Sequence, residues 1–271
     1  MTRSTINLHI HTTASDGIYS LDRILELAQE YNLETIAITD HDTVDAAIKI
    51  PVLSNGLKVI PGIEFSADFP SQYHMLGYFP STDIPNTIEA AEKLKNARED
   101  RMRTMVEQLQ KKGYHIDYTD ITKYASGSIG KPHVAQALVE KGYATDVEAA
   151  FSTILSKAED TKRFKYKPKE LIDIIHKDNG IAIIAHPNSL NFTHAEFNVF
   201  FLEQLKSGID GLEVFYPSHS IDDIHFYKAL TDDYNLSATA GSDFHGFKAD
   251  SDIAEPSLLK PYSVWQGFKI I

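Results

Sequence analysis

The sequence predicts a parallel α/β fold, either a barrel or an open sheet, and three observations carry that reading. Seven short segments read as strands, helical patterns separate several of them, and histidines and carboxylates recur where the strands finish. In both architectures function gathers beyond the C-terminal ends of the strands.

The first strand opens the chain. Apolar and polar residues alternate from Ile6 to His11, the period of a half-buried strand, so His9 and His11 project from one face. Asp16-Gly17 reads as a turn just past it. Ser20 is placed to cap a helix whose Leu21, Ile24, Leu25, Leu27 and Ala28 recur at helical spacing. Residues 35–41 form a continuous apolar run ending in Asp40 and His41, the pattern of a buried parallel strand. A third strand, 58–65, is interrupted by Pro61-Gly62 and finishes near Glu64, and a fourth covers 73–78. Further strands read at 181–186, 211–215 and 237–241, with helices at about 168–178 (opened by Pro168), 195–206 and 219–234. His11, Asp16, His41, Glu64, His186, Asp243 and His245 all fall at or just past strand ends. His74 is the exception, near the start of its strand.

Residues 87–166 break the alternation. They read as a long helix over 87–112, a loop, and two short helices near 132–141 and 146–156. The expected organisation is one unit from 1–86 and 167–271, interrupted by a helical insertion. The insertion is not an autonomous domain, since the flanking strands need each other.

Composition narrows the chemistry. Of 271 residues, 42% are hydrophobic and 24% charged, as in an ordinary globular protein able to bury a substantial core. Cysteine is absent, which excludes disulfides, thiolate metal sites and a Cys nucleophile; any metal must be held by His and carboxylate. The first five residues carry no apolar run and no stretch matches a membrane span, so a cytoplasmic location is expected. The net charge of −12 is unevenly spread. Residues 93–170 hold 16 Lys+Arg against 11 Asp+Glu, a balance of +5, and the remainder holds 10 against 27, a balance of −17. The acidic part thus bears the candidate ligands, whose charge bound cations would offset, and a basic segment suits a phosphorylated substrate. An acidic chain does not suit an architectural duplex binder. No Gly-rich phosphate loop or dinucleotide fingerprint is present.

His9, His11, Asp16, His41, Glu64, His74, His186, Asp243 and His245 make a His-rich set with three carboxylates. Such a set suits Mn, Fe or Zn better than Ca or Mg. Nine ligands exceed the need of one ion, so two or three divalent ions are expected. Clustered ions suit phosphate-ester hydrolysis by a metal-activated hydroxide, with further ions clamping the phosphoryl oxygens.

His9-Ile10-His11, Asp16-Gly17, Thr39-Asp40-His41, Gly62-Ile63-Glu64, Ala185-His186-Pro187 and Gly241-Ser242-Asp243-Phe244-His245 together resemble the four motifs of the PHP (polymerase and histidinol phosphatase) family. The resemblance spans nearly the whole chain. It implies a distorted (β/α)7 barrel and a metal-dependent phosphoesterase. By similarity, one ion takes His9, His11, Glu64 and Asp243; a second takes Glu64, His74 and His186; a third takes Asp16, His41 and His245. Within the insertion, Gly130-Lys131-Pro132-His133 and later Tyr166-Lys167-Pro168 resemble the branch of nucleoside 3′,5′-bisphosphate phosphatases and 5′→3′ exoribonucleases on short RNA. That branch has Arg where this chain has Lys131, which keeps the charge but loses the bidentate fork. The resemblance makes the insertion a substrate flap, with Lys131 and His133 as phosphate contacts. The bland alternative is a helix start with Pro in its first turn and a packed His133. Arg98, Arg101 and Arg103 read as a solvated helix face, the alternative being contact with the site. Tyr216 and His219, past the 211–215 strand, are candidate pocket residues. Histidinol-phosphate phosphatase and a metal-holding nucleotide-binding module are the alternative functions.

Overall fold

The structure is a computed structural model that describes residues 6–51, 56–123, 129–157 and 163–246; residues 1–5, read above for targeting, lie outside them. Seven strands form one sheet in chain order: β1 (Ile6–Asn7), β2 (Thr35–Ile38), β3 (Lys58–Ser66), β4 (His74–Tyr78), β5 (Ile181–Ile184), β6 (Gly211–Phe215) and β7 (Ser237–Ala240). Backbone pairing continues past the last strand to the first. The Leu8 amide donates to the Ala240 carbonyl at 2.9 Å, the His11 amide to Phe244 at 2.8 Å, and the Phe244 amide to His9 at 3.2 Å. Asn7 rivets this seam, its Nδ2 donating to Ser242 Oγ at 2.6 Å and its Oδ1 accepting the Ser242 amide at 3.1 Å. The result is a nearly closed seven-stranded α/β barrel, so of the two architectures left open by the strand pattern the barrel is the one adopted.

The apolar runs explain the strands. Leu8, Ala37, Ile60, Leu76, Tyr78, Ile183 and Ala185 pack together, and Tyr78 donates its hydroxyl to the Leu8 carbonyl at 2.8 Å. Each buried aliphatic side chain here is worth about 1.5–3 kcal/mol. Around the sheet lie α1 (Leu21–Glu30), α6 (Pro168–Lys177), α7 (His194–Ser207) and α8 (Ile221–Asp233). Ser20 caps α1 by accepting the Arg23 amide, and Ile24, Leu25, Leu27 and Ala28 are buried, as the helical spacing predicts. Reciprocal capping boxes, Thr193 with Glu196 and Ser220 with Asp223, open α7 and α8.

One expectation is corrected. The strand pattern suggested a wholly parallel sheet, but β4 runs antiparallel to both β3 and β5, while the remaining neighbours are parallel. Only residues 67–73 separate β3 from β4, too few for a parallel crossover, which takes a dozen or more. The reversal carries the start of β4 to the rim where the parallel strands end: Ser66 pairs with His74, and the Ala185 amide donates to the His74 carbonyl at 3.1 Å. His74 therefore obeys the strand-end rule it seemed to break.

The chain divides into two compact units, residues 1–91 with 165–271, and 92–164. The second unit has a core of its own: Met102, Met105, Val106 and Leu109 from α2 (Pro85–Lys111), Ile121 from α3 (Tyr118–Thr122), Val134 and Leu138 from α4 (Lys131–Glu140), and Ala150 from α5 (Val147–Thr153). Arg103 stacks its guanidinium 3.7 Å above the Tyr118 ring, inside its own unit. No helix among the described residues is long and apolar enough to cross a membrane.

The first turn of α2 belongs to the barrel unit and is capped from far along the chain. Asp178, just after α6, accepts the Thr87 amide and hydroxyl, each at 2.7 Å, and the Asn86 amide and side-chain nitrogen at 3.2 and 2.6 Å. Burial would raise this carboxyl, but the four donors outweigh it and hold it below the usual carboxylate range. A lowered native pKa adds stability above the unfolded value, about 3.9, and loses it as pH falls through the native one. Asp178→Asn should therefore cost about 1–2 kcal/mol at pH 7. In thermal unfolding scans the gap to wild type should close below about pH 4.

Candidate metal centre

Glu64, near the end of β3, organises the barrel rim. It is fully buried, yet its carboxylate meets five imidazoles among the described residues. Oε1 lies 3.0 Å from His74 Nδ1 and 2.8 Å from His186 Nε2. Oε2 lies 2.8 Å from His41 Nδ1 and 3.3 Å from both His9 Nε2 and His11 Nε2. The five rings close a loop around it: centroids are 5.2 Å apart for His9–His11, 4.5 Å for His11–His41, 5.0 Å for His41–His74, 5.2 Å for His74–His186 and 5.7 Å for His186–His9. His9 and His11 share one segment, the other three come from separate places in the chain, and the barrel unites them.

The other two carboxylates stand outside this ring. Asp243 Oδ1 lies 3.0 Å from His11 Nε2 and 3.3 Å from His9 Nε2. The Tyr216 hydroxyl donates to Asp243 Oδ2 at 3.2 Å, which turns Oδ1 toward the two histidines. Asp16 is exposed, its Oδ1 3.3 Å from His245 Nε2 and 3.7 Å from His11 Nδ1, its Oδ2 3.9 Å from His41 Nε2. His245 stacks on His11 with centroids 4.1 Å apart. All nine predicted residues thus come together. Three groups hold ligand atoms within 4.8 Å of one another: His9, His11, Glu64 and Asp243; His11, Asp16, His41 and His245; and His41, Glu64 and His74.

Local structure explains how the loop bearing Asp16 reaches the site. Asp40, buried at the end of β2, accepts the Thr12 amide at 2.7 Å, the Thr12 hydroxyl at 2.8 Å and the Ser15 hydroxyl at 2.6 Å. The turn folds back so closely that a Cβ on Gly17 would overlap the His11 carbonyl. Asp243 (φ +55°) and His186 (φ +24°) both sit in backbone regions that residues with a Cβ rarely adopt, and such strain collects at functional sites.

The electrostatics call for positive charge. Burial would lower the His9 imidazole, but Glu213, Glu64 and Asp243 outweigh it and raise it well above its ordinary value. His11, His41 and His186 are likewise raised against burial by neighbouring carboxylates. Burial would raise Glu64, but His41, His9 and His74 hold it well below the usual range. His74 alone among the ring is lowered, burial dominating. His9 Nε2, both His11 ring nitrogens, His41 Nδ1, Glu64 Oε2 and Asp243 Oδ1 are buried yet form no hydrogen bond. Imidazole nitrogens and negative oxygens that converge without a hydrogen-bond partner fit a divalent cation. The donor set is imidazole and carboxylate, with no soft sulfur.

Two contributors were given no role by the sequence reading. Glu213 is fully buried on β6 and accepts from His9 Nδ1 at 3.1 Å and from the His186 amide at 2.7 Å. A lone carboxylate inside the apolar run Leu212-Glu213-Val214 was the available signal. Asp40 was equally legible as a carboxylate closing an apolar strand. The remaining predicted residues are placed differently. Tyr216 borders the ring, 5.5 Å from His186 between centroids, and burial holds its hydroxyl protonated. His219 donates from Nδ1 to the Val214 carbonyl at 2.9 Å, and burial lowers its pKa, so its unpartnered Nε2 is an acceptor. That geometry presents His219 as an acceptor and not as a proton donor. Lys131 and His133 open α4, where His133 Nδ1 accepts the Gly130 amide at 3.0 Å and caps the helix.

Known proteins resemble this chain over most of its length. The chain is 29% identical to the 5′-3′ exoribonuclease Rnm of Escherichia coli K12, over 88% of this chain and 84% of that protein. It is 27% identical to the phosphoribosyl 1,2-cyclic phosphate 1,2-diphosphodiesterase of Eggerthella lenta, over 89% and 94%. It is 24% identical to the 3′,5′-nucleoside bisphosphate phosphatase of Chromobacterium violaceum, over 89% and 87%. The PHP domain itself matches residues 7–186, a span that contains seven of the nine clustered residues. With that match and the barrel rim agreeing, the chain belongs to the PHP domain family.

Proposed function

We propose that the protein is a metal-dependent phosphoesterase acting on nucleotide phosphates, either nucleoside 3′,5′-bisphosphates or the 5′ ends of short RNA. The observation that carries the reading is the convergence of buried, unpartnered imidazole nitrogens and carboxylate oxygens around Glu64. The exoribonuclease and bisphosphate-phosphatase relatives support the substrate class. The ligand sets proposed are His9, His11, Glu64 and Asp243; Glu64, His74 and His186; and Asp16, His41 and His245, holding two or three ions of Mn, Fe or Zn.

Bound divalent ions supply a water acidified toward neutral pH and positive charge for the phosphoryl oxygens. The chain's own groups do the rest. Asp40 holds the loop that presents Asp16, and Tyr216 orients Asp243. Tyr216, its one hydrogen committed to Asp243, is proposed to line the substrate pocket, and His219 Nε2 to accept from a substrate hydroxyl or a water. Lys131 and His133 Nε2 are proposed as phosphate contacts. His133 Nδ1 is committed to its helix cap.

Three measurements test this. Chelation should abolish phosphatase activity and Mn²⁺ should restore it, while His9→Ala and Asp243→Ala should each lose at least about 100-fold, since outer partners of metal ligands alone are worth 10–100-fold. Wild-type turnover in His9→Ala would sink the metal mechanism. A panel assayed with Mn²⁺ should rank adenosine 3′,5′-bisphosphate and short 5′-phosphorylated RNA above histidinol phosphate and a cyclic ribose phosphodiester; the reverse order reassigns the substrate. Lys131→Ala should raise KM about tenfold with kcat less affected, the loss of one charged hydrogen bond. An unchanged KM removes Lys131 from the substrate site.

A further inference from the structure

Glu213 faces two candidate ligands at once. Its side chain is fully buried between Leu212 and Val214, which are fully buried too. His9 Nδ1 lies 3.1 Å from Oε1 and 3.3 Å from Oε2, and the same Oε2 accepts the His186 amide at 2.7 Å. Gly241 makes the room, since a Cβ there would overlap both His9 Cβ and Glu213 Oε1.

The consequences follow from hydrogen bonding. A carboxylate accepts and does not donate, so His9 Nδ1 keeps its hydrogen, and in the neutral imidazole that ligates a cation Nε2, which faces Glu64 Oε2 and Asp243 Oδ1, is the bare nitrogen. On the other side, His186 holds φ +24° and ψ 63°, a backbone shape unfavourable for a residue with a Cβ. The amide bond to Glu213 pins that shape. It aims the ring so that Nδ1 meets Ser189 Oγ at 2.9 Å and Nε2 meets Glu64 Oε1 at 2.8 Å. Ser189 gives its own hydrogen to the Gln72 carbonyl at 3.2 Å, so it accepts from His186 Nδ1, and in the neutral imidazole that ligates a cation Nε2 is the nitrogen without hydrogen.

We propose that Glu213 is a positioning residue that acts through His9 and His186 together, tying two ligand positions to one buried carboxylate and so setting the cluster's affinity for divalent cations. The proposal rests on the metal-dependent reading above.

The test is a Mn²⁺ titration of metal-stripped, full-length wild type and Glu213→Gln, with the Tm of each metal-free protein. Glutamine keeps the volume but turns one acceptor into a donor. Aimed at His9 Nδ1, the new donor forces the hydrogen onto Nε2; aimed at His186, it opposes the amide. The expected result is Mn²⁺ binding weakened about 10–100-fold in a variant whose metal-free form still unfolds cooperatively in the Tm scan. Wild-type affinity in Glu213→Gln overturns the proposal. A wild-type chain that binds no Mn²⁺ instead overturns the metal reading, so the two failures are distinguishable. A second measurement needs no variant: nitrogen NMR of the Zn²⁺-loaded wild type reads which His9 ring nitrogen bears hydrogen. Hydrogen on Nδ1 supports the proposal, and hydrogen on Nε2 overturns it whatever the variant's fold.

Discussion

The molecule is organised around the burial of one carboxylate, Glu64, inside a closed loop of five imidazoles. Taking such a group out of water costs several kcal/mol unless charge and hydrogen bonds answer it. The answer comes from His9, His11, His41, His74 and His186, of which His9, His11 and His186 are themselves buried and dependent on carboxylates. Neither partner is tolerable alone. The rim is an arrangement in which each side chain's position is justified by the others, and a cation relieves the remaining imbalance.

The barrel makes that arrangement possible. Parallel strands deliver His11, His41 and His186 to one end, and the short 67–73 connection reverses β4 so that its first residue arrives at the same end. Closure through Asn7 and Ser242 then brings Asp243 and His245 against His9 and His11, although more than 230 residues separate them in the chain. A helix spacing or a single hairpin places two such side chains; the closed sheet brings nine candidate ligands together.

A second tier of groups sets the orientation of the first. Glu213, Ser189 and Tyr216 each use an ordinary hydrogen bond to choose which atom of a candidate ligand faces inward, and Asp40 holds the loop that carries Asp16. Outer partners of this kind fix tautomer and ring direction, which is why a site's affinity depends on residues that never touch its occupant. The basic helical unit is built differently, on an apolar core of its own, and its Arg103 is engaged with Tyr118.

The residues alone declared much of this protein. Apolar runs ending in His or a carboxylate marked the strands and their working ends, and the absence of cysteine restricted the donors to nitrogen and oxygen. Helix starts at Ser20 and Pro168 were legible because capping is local chemistry, decided within four residues. The reversed β4 was not legible by periodicity, because parallel and antiparallel strands share the same alternation of side chains. Nor were the roles of Glu213, Asp40 and Asp178, since a buried carboxylate is explained by partners that lie far away in sequence. Local pattern determined which residues were available to bind. Tertiary closure decided which atoms meet, because distances between chain-distant groups exist only once the barrel has formed.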